Sequence, residues 1–150
     1  TTYGYQWIDS TKNIIVKWQF KIDNNTRIAT AMRFAILSKD TNCNDSFHSE
    51  AENPSYVYNI SGNLTANNKY LTDKRKKSIS CKCATDDIVI IVLDLIKKQI
   101  SIIDMAKDEE PMTKLLFADV ETGEGIQYKI AVSMVEVGTQ ITLNRVSYEK

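Results

Sequence analysis

The residues able to do chemistry are few and scattered. His48 is the only histidine, and the cysteines are Cys43, Cys81 and Cys83. By number alone they could make a zinc site. Cys81-Lys82-Cys83 lacks the spacer with which two thiolates usually share one tetrahedral ion, and the other two candidates lie far off in sequence. The same spacing is too tight for a Cys-x-x-Cys redox pair. Serine is plentiful, but no Gly-x-Ser-x-Gly turn presents one as a nucleophile. A Cys–His pair stays open, since it needs only proximity in space; His48, in a polar stretch, reads first as a solvated side chain. Asp94 follows Val92 and Leu93, and acid–base work there requires a second carboxylate or a histidine that no spacing supplies. It reads instead as the aspartate of a turn, bonding local backbone. Neither a P-loop nor a dinucleotide fingerprint occurs. The expectation is a chain that is not an enzyme, with no catalytic residue, no metal and no cofactor.

Binding by charge is the next class to weigh. Lys74-Arg75-Lys76-Lys77 is a compact basic run that suits phosphate or an acidic peptide, and Asp108-Glu109-Glu110 is its acidic counterpart. Such runs are ordinarily solvated loop faces. Lys plus Arg number 19 and Asp plus Glu number 19, so the formal net charge is zero. Bulk attraction to nucleic acid or an anionic membrane is thereby disfavoured. No apolar run approaches the ~18–20 residues that cross a bilayer. The longest, Ile88 through Leu93, is followed by Asp94. Thr1-Thr2-Tyr3-Gly4-Tyr5 has neither the basic start nor the apolar core of a signal peptide, and no Met, so a processed chain or a piece of a longer one is expected. Three cysteines make no disulfide framework, which favours a reducing, cytoplasmic setting. Sequons at Asn24, Asn44, Asn59 and Asn63 stand against it; a chain rich in Asn, Ser and Thr produces several by chance.

Whatever binds must be held by the elements between these residues. With 150 residues, 43% hydrophobic and 25% charged, the chain suits one globular domain spanning 1–150. Ile14, Val16, Trp18, Phe20 and Ile22 occupy every second position, with Lys17, Gln19 and Lys21 between them. That period predicts a strand with one face in a core, Trp18 and Phe20 included. Residues 27–37 are apolar but alanine-containing, and leave strand and helix both open. Residues 38–55 are polar throughout and predict a long loop. Tyr56-Val57-Tyr58 is a short strand. Ile88 through Leu93 is dominated by β-branched residues, which predicts a strand buried on both faces. Lys97-Lys98-Gln99 then separates it from Ile100-Ser101-Ile102-Ile103 as a hairpin. Residues 104–114 are charged, contain Pro111 and predict a loop. Ile126, Tyr128, Ile130, Val132 and Met134 alternate again, as do Ile141 and Leu143. Many short strands without a 3.6-residue period predict an all-β antiparallel sandwich or barrel.

The order of these pieces resembles a SPRY domain from about residue 14 to the end. An early strand carries Trp18-Gln19-Phe20-Lys21-Ile22, and an aromatic strand leads into Gly62. Asp86-Asp87-Ile88 opens an apolar strand ending in Leu93-Asp94-Leu95, and Ile100-Ser101-Ile102 follows the turn. Tyr128-Lys129-Ile130-Ala131-Val132-Ser133-Met134 is similar to the family's Tyr-x-Pro-Ala-Val-Ser-Leu, and residues 137–144 are similar to its closing strand. The departures are Asp86 where a Gly usually precedes the acidic residue, Ile102-Ile103-Asp104-Met105 where aromatics and an Asn-Gly turn usually stand, and Ile130 in place of Pro.

The resemblance implies a concanavalin-like jelly-roll sandwich and a module that recognises a peptide or protein partner with loops at one end. On that basis the contact surface is expected on residues 38–55, 71–78 and 104–114. Phe47, His48, Arg75 and Lys76 are the candidate partner-binding residues, with Tyr70 bordering the second loop. Two other readings of the same architecture are a lectin-like carbohydrate binder, with Asn-rich loops and in some families Ca²⁺, and a structural subunit of a large assembly.

Overall fold

Period two becomes twelve strands among the described residues. A computed structural model of the chain describes residues 2–3, 7–24, 32–38, 55–60, 64–66, 69–71, 83–106, 110–134 and 139–150. The strands are β1 (Thr2–Tyr3), β2 (Ile8–Asp9), β3 (Ile15–Asn24), β4 (Met32–Ser38), β5 (Ser55–Asn59), β6 (Leu64–Ala66), β7 (Lys69–Leu71), β8 (Ile88–Asp94), β9 (Gln99–Met105), β10 (Met112–Phe117), β11 (Gln127–Met134) and β12 (Gln140–Glu149). No helix occurs among the described residues, and none is long and apolar enough to cross a membrane.

Two antiparallel sheets result. One is ordered β1-β11-β4-β5-β6-β7, with β2 also on β11; the other is ordered β10-β9-β8-β3-β12. Every pairing joins antiparallel strands. The inward half of each alternating run makes the core. Val16, Trp18 and Phe20 of β3 meet Leu93, Ile91 and Val89 of β8 in register, Ile22 continues their face, and Phe34, Ile36, Tyr56, Tyr58, Tyr128 and Ile130 come from the opposite sheet. Phe20 and Phe34 touch across the layers with ring centroids 5.4 Å apart. Removing this apolar area from water supplies the main drive to fold.

Four expectations change in detail. Residues 32–38 are a strand: β4 is hydrogen-bonded to β11 on one side and β5 on the other. Ala35 lies on its outer face, in a second small buried cluster with Leu37, Val57 and Ala131, where a small side chain fits. β8 is not covered on both faces. Val89, Ile91 and Leu93 are buried, whereas on the other face only Val92 is buried and Ile88 and Ile90 are partly exposed. A two-layer sandwich has no third layer to lay on that side. The predicted 104–114 loop is shorter, because Asp104 and Met105 close β9 and Met112 opens β10, pairing with Asp104. Gln99 belongs to β9, opposite Asp94, so the hairpin turn is Leu95 to Lys98.

From β3 onward the odd-numbered strands run in one direction and the even-numbered ones return. Connections 25–31, 60–63, 72–87, 106–111 and 135–139 therefore join strands at one end of the sandwich. Connections 39–54, 67–68, 95–98 and 118–126 join them at the other.

The acidic turn at the first end explains one departure from the family pattern. Asp86 sits at φ 73°, in the left-handed region that glycine enters without a Cβ penalty. The Asp86 amide donates to the Ile22 carbonyl at 2.7 Å, so the turn cannot relax without losing that tie. Its side chain is exposed. Asp86→Gly is expected to raise stability by about 0.5–1 kcal/mol, net of the extra freedom glycine gives the unfolded chain. The urea midpoint measures it, and a midpoint that falls would show the backbone there to be unstrained.

Candidate recognition surface

Turns set the character of each end. At the second end, the polar atoms are knitted together. The Tyr128 hydroxyl donates to the Glu121 carbonyl at 2.6 Å, and the Glu121 amide donates to the Tyr56 hydroxyl at 2.9 Å. Two inward tyrosines from neighbouring parts of one sheet thus clamp the 118–126 connection. Burial pushes both phenols above the ordinary tyrosine range, Tyr128 furthest. Ser10 Oγ donates to the Gly123 carbonyl and accepts from its amide, both at 3.0 Å. The Val120 amide donates to the Lys98 carbonyl at 3.0 Å, joining the same connection to the hairpin turn. Asp94 Oδ1 accepts from the amides of Ile96 and Lys97 at 3.0 and 2.9 Å, the local turn role expected of it. Trp7, 44% exposed, lies beneath Lys129 Nζ at 4.9 Å from the ring centroid.

The first end is tied at the acidic turn and open elsewhere. Asp87 Oδ2 accepts from the Ala84 amide at 3.0 Å, and the Ile22 amide donates to the Asp87 carbonyl at 2.9 Å. Asp104 continues the inward parity of Ile100 and Ile102 on β9 and lies opposite Val89. Its Oδ1 atom is buried without a hydrogen-bond partner among the described residues, and so is the Thr139 hydroxyl just before β12. A buried acceptor without a donor is costly, and native chains keep few of them.

The candidate residues divide between the two ends. Arg75 and Lys76 fall in the 72–87 connection of the first end, and Phe47 and His48 in the 39–54 connection of the second; all four lie outside the described residues. Tyr70 is on β7, the edge strand of its sheet, opposite Thr65. The three segments expected to share one surface therefore do not leave from the same end. Cys43 and Cys81 also lie outside the described residues, while Cys83 is buried and in no disulfide among the described residues. Among the described residues no three His, Cys, Asp or Glu side chains cluster as a metal site. Sequence reasoning missed the two partnerless polar atoms. The signal available was an aspartate at the same parity as Ile100 and Ile102.

The sequence matches no family model and no curated protein. Among solved structures, the SPRY domain of human HERC1 superposes with a TM-score of 0.60 at 19% identity, covering 98% of this chain and 79% of that one. The fold is that of a SPRY domain. A more distant likeness, TM-score 0.45 at 10% identity over 90% of this chain and 70% of the other, is to peanut lectin crystallised with a 9mer peptide. At the positions that depart from the family pattern, the backbone of Asp86 is left-handed and Ile130 is buried on the inner face of β11.

Proposed function

We propose that this SPRY-fold chain is a non-enzymatic protein-interaction module, working as one domain. It recognises a peptide or protein partner with the connections at the first end of the sandwich. The observation that carries the reading is the partnerless Asp104 carboxylate oxygen at the end from which the Arg75 and Lys76 segment also leaves. A partner donor inserted beside Asp104 would satisfy an acceptor left unpaired among the described residues. A rigid sandwich holding variable connections suits recognition without chemistry. Arg75 is of the residue type enriched at interface anchors. The second end already spends its hydroxyls and amides internally. A reducing cytoplasmic setting, with the chain as part of a larger protein or complex, accords with its few cysteines.

Affinity capture with crosslinking mass spectrometry on the intact chain tests this. Crosslinks to one partner are expected from Lys74, Lys76 and Lys107, and recovery is expected to drop on Asp104→Asn or Arg75→Ala but not on Phe47→Ala. Crosslinks spread over Lys12, Lys97 and Lys129 would sink the reading and favour a structural subunit packed on every side.

A further inference from the structure

The outer face of the five-stranded sheet is apolar on one half and basic on the other. Register puts Ile88 and Ile90 of β8 on that face, beside Ile103 and Met105 of β9, with Val92 at the same parity already buried. Leu115 on β10, 44% exposed, extends the stripe. Ile88 and Ile90 are directly opposite Met105 and Ile103, and Leu115, paired with Ser101, lies diagonal to Ile103; a grouped apolar patch of that kind marks a contact site. On β3 the same parity carries Lys17, Gln19 and Lys21, and a bulge in β12 sets Arg145 opposite Gln19.

A groove of about 200 Å³ runs where the halves meet, with Ile90 in its lining beside Gln19, Arg145 and Ser147. The Lys17–Glu149 ion pair, 3.0 Å, closes one side of it. That pair consumes the charge of Lys17. Arg145 and Lys21 are both exposed and have no ion-pair or hydrogen-bond partner among the described residues.

We infer that this face docks a segment of a partner protein that presents apolar side chains beside a carboxylate. The apolar side chains cover Ile88, Ile90 and Ile103, and the carboxylate reaches Arg145. Charge complementarity selects the occupant. Two unspent cations border an apolar stripe, and a guanidinium grips a carboxylate with two parallel hydrogen bonds. A lipid surface fits less well, because the groove is concave and a planar layer of headgroups does not enter it. A second copy fits less well too, because the face itself offers no uncommitted carboxylate next to its apolar stripe: Glu149 is bound to Lys17, Asp23 accepts from Thr142, and Asp94 caps the hairpin turn. This docking face is separate from the loop end described above and does not rest on it.

A phage library of random 12-residue peptides, selected on the intact chain, provides the probe. Enriched peptides are expected to combine Asp or Glu with aliphatic residues. Arg145→Glu and Ile90→Asn are each expected to weaken them about tenfold or more, and a Lys-for-acid peptide is expected to recover binding to Arg145→Glu. Asp104→Asn is expected to leave them unchanged, which separates this face from the loop end. Three results would overturn the inference: peptides indifferent to Ile90 and Arg145, a dimer in sedimentation velocity that Ile90→Asn dissolves, or Arg145-dependent binding to phosphatidylserine vesicles.

Discussion

Ile91→Ala is expected to cost about 2–5 kcal/mol of unfolding free energy, while Ile90→Ala, one residue away, costs about 1 kcal/mol or less. Both are isoleucines in the middle of β8. Ile91 is 2% exposed, sits between Trp18 and Ile102 in the ladder, and lines the interior with Phe34, Tyr56 and Phe117 of the surrounding strands. Deleting its side chain removes transfer free energy and leaves a void that a close-packed sandwich cannot fully close. Ile90 faces the outer groove, where water already reaches it, so truncation leaves no sealed cavity. Urea denaturation of the two variants, at unchanged m-value, measures the contrast. Equal losses would mean that the register is wrong by one residue, because a slip by one exchanges the two faces of the whole strand.

Tyr128→Phe is the second large effect, about 1–3 kcal/mol. The phenol donates at 2.6 Å to a carbonyl that phenylalanine cannot serve, and the clamp on the 118–126 connection loosens with it. Tyr56 is held in the same clamp, its ring 6.2 Å from that of Tyr128 and 5.3 Å from that of Phe117. The pair also gives stability a dependence on alkaline pH. Desolvation raises the Tyr128 phenol above the ordinary value of 10.0, so the folded state keeps its proton after the unfolded state has lost it. Stability from this group is complete below pH 10 and declines as pH rises beyond it, because the unfolded chain then binds fewer protons than the native one. Thermal unfolding scans from pH 8 to 11 should show a steep decline in the wild type and a shallower one in Tyr128→Phe. Parallel curves would place the alkaline sensitivity elsewhere.

Much of the fold could be read along the chain. Trp18 and Phe20 on an alternating strand, Tyr128, Ile130 and Val132 on another, and the Asp94 turn were all legible. Side-chain parity and turn chemistry are local properties, set by the two-residue pleat and by bonds spanning two or three residues. The SPRY resemblance used the same local signals, taken in order.

Other features depended on pairing across the chain. Whether β8 had one or two covered faces turned on the number of layers, which no window of β-branched residues encodes. Residues 32–38, left open between strand and helix, became a strand because β5 and β11 pair on either side of them, Val57 and Ala131 both lying opposite Ala35 from segments remote in sequence. Asp104 looked like loop until its pairing with Val89 and Met112 turned it inward and left its oxygen without a donor. The two ends of the sandwich likewise emerged from strand direction, which separated Phe47 and His48 from Arg75 and Lys76. A residue's type and parity travel with the chain, but its neighbours across a sheet are contributed by segments remote in sequence, and burial, unmet hydrogen bonds and shared surfaces are properties of those neighbours.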